Sequence, residues 1–159
     1  MSTGRLQREL KKRKPFESLA EEAALNLART SDRFAICFER LFRRHGLQSG
    51  SQYNILRILR GAGGRLPVLE IATRTITAVP GITGLIDRLE KAGFVQRRRC
   101  AEDRRVVHVS ITDKGRKLLA DLDNPVGELN ERLLGNLSVA EKKELIRLLE
   151  KARLSLDGE

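Results

Sequence analysis

The chain has only two cysteines among its 159 residues, Cys37 and Cys100. They lie far apart and form no CxxC pair, which excludes a disulfide framework and a zinc knuckle and fits a reducing, cytoplasmic setting. No apolar run approaches the roughly 20 residues that span a bilayer, and the basic N-terminus leads into no apolar signal core. Membrane and secretory roles are therefore not expected. The two histidines, His45 and His108, are isolated, have no ligand partners at useful spacing and read as surface residues. Nor is there a Ser/His/Asp set, a phosphate-binding loop or a carboxylate pair framed by a pocket motif; Asp87 and Glu90 fit the solvent face of a helix. An enzyme, a metal site and a cofactor all lack a constellation to support them.

Positive charge is plentiful, and it is concentrated. The net charge is +10 and the pI near 10.3. Residues 1 to 14 carry six basic side chains against Glu9, and residues 94 to 117 carry eight against three acids, so each segment contributes +5. Elsewhere 17 basic residues balance 17 acidic ones. Whole-chain charge speaks mainly to solubility, but a focused charge is what a surface meeting phosphates requires. With 40% hydrophobic residues, the chain is long enough for one domain with its own core.

The apolar spacing lays out the order of elements. Residues 1 to 15 read as a basic, solvated tail ending at Pro15. From Phe16 to His45 the pattern is helical, as one helix or two in series about 45 Å long, with Leu19, Ala23, Leu27, Phe34, Phe38 and Phe42 as its stripe. Such a helix overhangs a small globule, so the stripe predicts core or dimer seam rather than a ligand box. Ser49-Gly50-Ser51-Gln52 reads as a capping box before a helix over 50–60 with Tyr53, Leu56 and Leu59 inward. Glycines 61, 63 and 64 end it. Arg65-Leu66 is a possible short strand, Pro67 suits the first turn of a helix over 67–75, and Pro80 suits the start of another that runs to Gly93.

Phe94 to Arg99 then extends, Cys100 to Asp103 turns, and Arg105 to Ile111 reads as a strand with Val107, Val109 and Ile111 on one face. Thr112 or Asp113 caps a helix through Leu118, Leu119 and Leu122, which Asn124-Pro125 ends or kinks. Ser138 and Glu141 form a capping box for a last helix whose stripe is Leu145, Leu148, Leu149 and Ala152. The predicted class is mainly α with a small β-wing.

A short helix, a tight turn, a second helix from about Val79 and a basic hairpin make a winged helix-turn-helix over 49–112. The second helix is slim enough for the major groove, and the hairpin can place guanidinium groups, always charged and weakly hydrated, in the narrow minor groove. The wing candidates are Arg97, Arg98, Arg99, Asp103, Arg104 and Arg105. Strand alternation gives Arg97, Arg98 and Arg99 unequal roles, and Asp103 is positioned to brace either Arg104 or Arg105 in a salt bridge. Cys37 reads as a core thiol. Cys100 reads as an incidental exposed thiol; a redox switch at the arginine-flanked wing tip is the alternative.

These residues resemble the MarR-type (multiple antibiotic resistance) family of transcriptional regulators. The likeness begins at Gln52-Tyr53, is most specific in ITGLIDRLEKAGFVQRRRCAEDRRVVHVSITDKG, 82 to 115, and covers nearly everything after residue 16. It implies a homodimer whose terminal helices, 16–46 and 113–159, interleave, with Leu27, Phe34, Phe38, Leu145, Leu148 and Leu149 at the seam. Also implied are wings straddling pseudo-palindromic double-stranded DNA, repression, and regulation by a small, often phenolic effector. The sequence departs from the family where AVPGITG replaces a more polar start of the recognition helix. That leaves Thr77, Val79, Pro80, Gly81, Thr83, Gly84 and Arg88 as its DNA-facing candidates, with Thr83 the clearest polar one. The basic N-terminal extension is also longer than usual. An architectural or nonspecific nucleic-acid binder is the competing expectation.

Overall fold

The computed structural model describes residues 4–101, 103 and 105–154. Among the described residues seven helices and three strands follow one another as α1 (Arg5–Glu9), α2 (Leu19–Arg44), α3 (Gly50–Ala62), β1 (Leu66–Pro67), α4 (Val68–Thr73), α5 (Ile82–Lys91), β2 (Val95–Arg99), β3 (Val107–Ile111), α6 (Asp113–Leu133) and α7 (Val139–Arg153). The strands form one antiparallel sheet in the order β1-β3-β2, with Leu66 opposite Val109 and Arg97 opposite Val109 from the other side. Against the sheet and between the helices lies one core. Ile55, Leu56 and Leu59 of α3, Ile71 of α4, Ile86 and Leu89 of α5, Val109 of β3 and Leu119 and Leu122 of α6 are essentially inaccessible.

Capping sets most helix boundaries. Ser18, Ser49, Thr112 and Ser138 each accept the amide three residues on, satisfying a donor that the first helical turn leaves free. The expected box at Ser138 and Glu141 is present. At Ser49 only half of it forms: Gln52 Oε1 accepts from the Gln48 amide at 2.7 Å, one residue earlier than a reciprocal box requires. The helix expected over 16–45 is a single one that starts at Leu19, because Ser18 holds an extended backbone and caps it.

Several expectations need correction. The first 15 residues are not wholly a solvated tail: α1 buries Leu6, and Glu9 sits within 3.8 Å of Arg29 and 3.5 Å of Arg33 on α2, so one leucine and one acid suffice to dock the segment. Pro67 is not in the first turn of α4 but pairs with His108 at the sheet edge and precedes the helix in extended conformation, where a missing N–H does no harm. Pro80 does not open α5. Gly81 adopts φ 71°, ψ 38°, outside helical space, so Pro80 and Gly81 form a turn and the helix begins at Ile82. Of the two outcomes expected at Pro125, an end or a kink, the end does not occur: α6 runs on to Leu133. Leu118, Leu119 and Leu122 before it and Leu129 after it are buried, and that shared packing carries the helix through a residue that costs it a hydrogen bond. Cys37, Cys100, His45 and His108 are half-buried, between the core and surface positions expected of them.

Candidate nucleic-acid interface

The recognition helix and the wing are built outward from this core. On α5, Ile86 and Leu89 are buried and Ile82 and Leu85 pack against them, leaving Thr83, Arg88 and Lys91 exposed. Its first turn has no acidic residue and no side-chain cap, so its amide end keeps the partial positive charge that favours a phosphate. Gly93, at φ 78°, turns the chain out of α5 and into β2.

The register of β2 and β3 then separates the three consecutive arginines. Arg97 is half-buried, whereas Arg98 and Arg99 are exposed. The Arg97 guanidinium pairs with Asp87, lies 3.8 Å from Glu90 and donates to the Thr83 carbonyl at 3.1 Å. Its amide donates to Glu90 Oε1 at 2.9 Å. One side chain thus ties the root of the wing to both ends of α5, and Asp87 and Glu90 serve this clamp rather than simply facing solvent. Arg98, Arg99 and Arg105 make no ion pair among the described residues. They are free cations on the hairpin.

At the tip, Asp103 pairs with no guanidinium among the described residues, Arg105 included. Its carboxylate accepts from the Arg105 amide at 2.9 Å and its carbonyl from the Val106 amide at 3.0 Å, while the Cys100 amide donates to the Val106 carbonyl. Backbone donors lie within two or three residues and need no long side chain to be ordered, which is why the aspartate shapes the turn instead. Glu102 and Arg104 lie outside the described residues.

The ITDKG stretch fixes the other end of the wing. Thr112 caps α6 and donates its hydroxyl to the Gly93 carbonyl at 2.7 Å, and Lys114 donates to the Ala92 carbonyl at 2.7 Å while standing over the Phe94 ring. Gly115 is needed because a Cβ there would fall 2.3 Å from the Phe94 carbonyl oxygen. Lys114, part of the basic segment in sequence, is therefore a strut of the wing.

Between β1, the start of α4, α5 and the hairpin lies an open cleft of about 710 Å³, with Leu69, Thr83, Arg97, Arg99 and Arg105 on its walls. A second crevice, about 560 Å³, separates α2 from α3 and the turn before α5. Phe38, Phe42 and Tyr53 stack along it, with ring centres 5.9 and 4.4 Å apart, and Arg57, Asn54, Ile76 and Thr77 line it too. Burial raises the Tyr53 hydroxyl above its ordinary pKa. The Phe38 and Phe42 spacing was legible as an apolar stripe; that Tyr53 and the turn residue Ile76 close a crevice with them was not, since it depends on how α3 packs on α2. A forked ion pair, Arg60 to Asp123 at 2.8 and 2.9 Å, joins α3 to α6 nearby.

A helix after a tight turn, an uncapped amide end and a hairpin bearing free guanidinium groups beside it define a winged helix-turn-helix DNA-binding protein. Residues 49–107 match the model of the MarR family. The HTH-type transcriptional regulator FarR of Neisseria gonorrhoeae is 32% identical over 110 residues, covering 67% of this chain and 75% of FarR. A MarR transcription factor from Planctomyces limnophilus is 48% identical, with 86% of this chain and 98% of that one covered and a TM-score of 0.67. BpsR of Bordetella bronchiseptica, 24% identical, shares the fold at a TM-score of 0.74 over 82% of this chain and 98% of its own. The chain belongs to the MarR family: it is a DNA-binding transcriptional regulator. Among the described residues no helix is long and apolar enough to cross a membrane.

Proposed function

We propose that the protein acts as a homodimer on a pseudo-palindromic operator, as a repressor that a small aromatic effector releases. The observation that carries this reading is the cleft in which the exposed face of α5 and the free arginines Arg99 and Arg105 meet. A duplex laid there gives its major groove to Thr83 and its flanking minor groove to Arg105 at the wing tip, while Arg98 and Arg99 neutralise phosphates; Arg104 is proposed for the minor groove from the sequence alone. Arg97 acts indirectly, by holding the wing at its angle to α5.

Dimerisation is supported by what the single chain leaves uncovered. Leu27 is 51% exposed and Leu148 48%, and α7 buries no residue at all. Phe34 and Leu149 are half-buried on the same helices, as is Phe38, which also packs on the chain's own core. A second copy covers such stripes by isologous contact and gives a particle of roughly 36 kDa, twice the chain mass of 17.9 kDa. For the effector, the aromatic crevice fits a flat apolar molecule with Arg57 at hand for a negative charge. An occupant there touches both α2 and the turn that sets α5, so it shifts the spacing of the two recognition helices. BpsR, of the same fold, has its DNA binding regulated by 6-hydroxynicotinic acid.

The test is footprinting with the full-length protein on duplexes selected from a random library. A dyad-symmetric footprint with half-sites about 10 bp apart is expected, with binding abolished when half a helical turn is inserted between them. An asymmetric footprint, or affinity retained after the insertion, contradicts it and favours a nonspecific binder. Adding hydroxylated aromatic acids should weaken operator binding.

A further inference from the structure

The recognition surface is poor in the groups that read bases by hydrogen bonds. In the first two turns of α5 the long polar side chain left exposed for that task is Arg88; before it come Ala78, Pro80, Gly81, Thr83 and Gly84. Ala78, Pro80 and Thr83 are exposed, and Thr83 shares the DNA-facing cleft with Arg99 and Arg105, which fixes the side it presents. Leu69, in the same cleft, is 82% exposed and sets an apolar side chain beside Arg99 and Arg105.

Gly84 sharpens the pattern. Glycine is a poor helix former, yet a methyl group at this position would meet nothing within 4 Å, and its backbone does not call for positive φ. Nothing among the described residues requires it. A bare backbone beside Thr83 lets the helix approach the groove floor more closely than any side chain allows. The feature of the major groove that an apolar, closely approaching surface can distinguish is the 5-methyl group of thymine.

We infer that the operator half-site is read mainly through thymine methyl groups, taken up by the side-chain-poor surface of Thr83, Gly84, Ala78 and Pro80 with Leu69 at its border. The inference rests on the operator-binding reading above and adds its chemical basis. Specificity then comes from burying methyl groups, while the arginines supply charge and register.

The experiment uses the full-length protein and a duplex recovered by selection from a randomised library, resynthesised with deoxyuridine for thymidine in both half-sites. Affinity should fall about fourfold for each methyl removed, the value of one buried methyl-sized group, with the salt dependence unchanged. Replacing guanines by 7-deazaguanine, which removes the acceptor an arginine would use, should alter affinity by no more than about twofold. Thr83→Ser, which keeps the hydroxyl and loses a methyl, should weaken binding to the thymine duplex and leave binding to the uracil duplex unaffected. If the uracil duplex binds like the thymine duplex with sequence preference intact, the inference is overturned while the operator-binding reading stands. Loss of binding to the 7-deazaguanine duplex alone overturns it in favour of Arg88. If selection enriches no sequence, the sequence-specific reading falls and this inference with it.

Discussion

The winged-helix part and the long terminal helices differ in how they cover their apolar residues. Residues 49–112, with α6 laid against them, close a core: Ile55, Leu56, Leu59, Ile71 and Ile86 are all 0% exposed. Along α2 only Phe42 is buried, and along α7 no residue is. Both regions have regular apolar stripes, so the stripe alone does not reveal whether its partner belongs to the same chain. The difference teaches that one half of the molecule is a finished folding unit, while the other leaves apolar faces that the proposed dimer would cover.

The comparison predicts opposite responses to mutation. Leu56→Ala removes a fully buried side chain and should cost about 2–5 kcal/mol in chemical denaturation, enough to threaten the fold. Leu145→Glu with Leu148→Glu should leave the fold of the winged-helix part unaltered by circular dichroism but shift sedimentation from dimer to monomer and weaken operator binding by more than tenfold. A double mutant that remains a dimer would erase the distinction drawn here.

Smaller effects come from ion pairs within the winged-helix part and between it and α6. Arg97→Ala should leave β2 paired, since its backbone bonds remain, yet free the wing from α5. Operator affinity should drop by about tenfold at a stability cost near 1 kcal/mol, as for other part-exposed ion-pair networks. The smallest expected change concerns Arg60 and Asp123. The hydrogen bonds from Arg60 hold the Asp123 carboxyl below the usual carboxylate range. Because the folded pKa is depressed, the pair's contribution is complete above the ordinary aspartate pKa of about 3.9 and is lost as pH falls through the lower folded value. With both partners a third or more exposed, the gain is roughly 0.5–1 kcal/mol. Asp123→Asn should therefore flatten the acid limb of the stability profile without changing stability at neutral pH by more than that amount.

Local signals in the sequence were enough for the order of elements from α2 onward, the hairpin and the cap at Ser138, and narrowed the α6 cap to Thr112 or Asp113, because each depends on residues within a turn of one another; α1 was missed. The two prolines that misled have different causes. Pro125 is a helix breaker by propensity, and the leucines flanking it outvote it through tertiary packing. Pro80 lost its place as a helix start to the left-handed Gly81. In the candidate site, three adjacent arginines read alike in sequence, but alternation along β2 puts Arg98 on the opposite face from Arg97 and Arg99, and of the two that share a face Arg97 pairs with the carboxylates of α5 while Arg99 stays exposed beside it in the cleft. Glu90, seven residues before Arg97 at the end of the helix that feeds the strand, was the available signal for that clamp. The crevice along Phe38, Phe42 and Tyr53 needed three elements to be assembled and had no local signature.

The central claim is that the wing's free arginines hold DNA mainly by charge. Operator affinity of the wild type and of the Arg99→Ala, Arg105→Ala double mutant, measured across a salt series, tests it most directly. The mutant should keep the wild-type fold, with stability changed by about 0.5 kcal/mol or less. Its affinity should fall strongly at low salt, and the slope of log affinity against log salt should flatten by about 0.9 for each phosphate that is no longer neutralised, each residue occurring twice in the dimer. Wild-type affinity and slope at every salt concentration would make the hairpin a merely solvated loop and contradict the account.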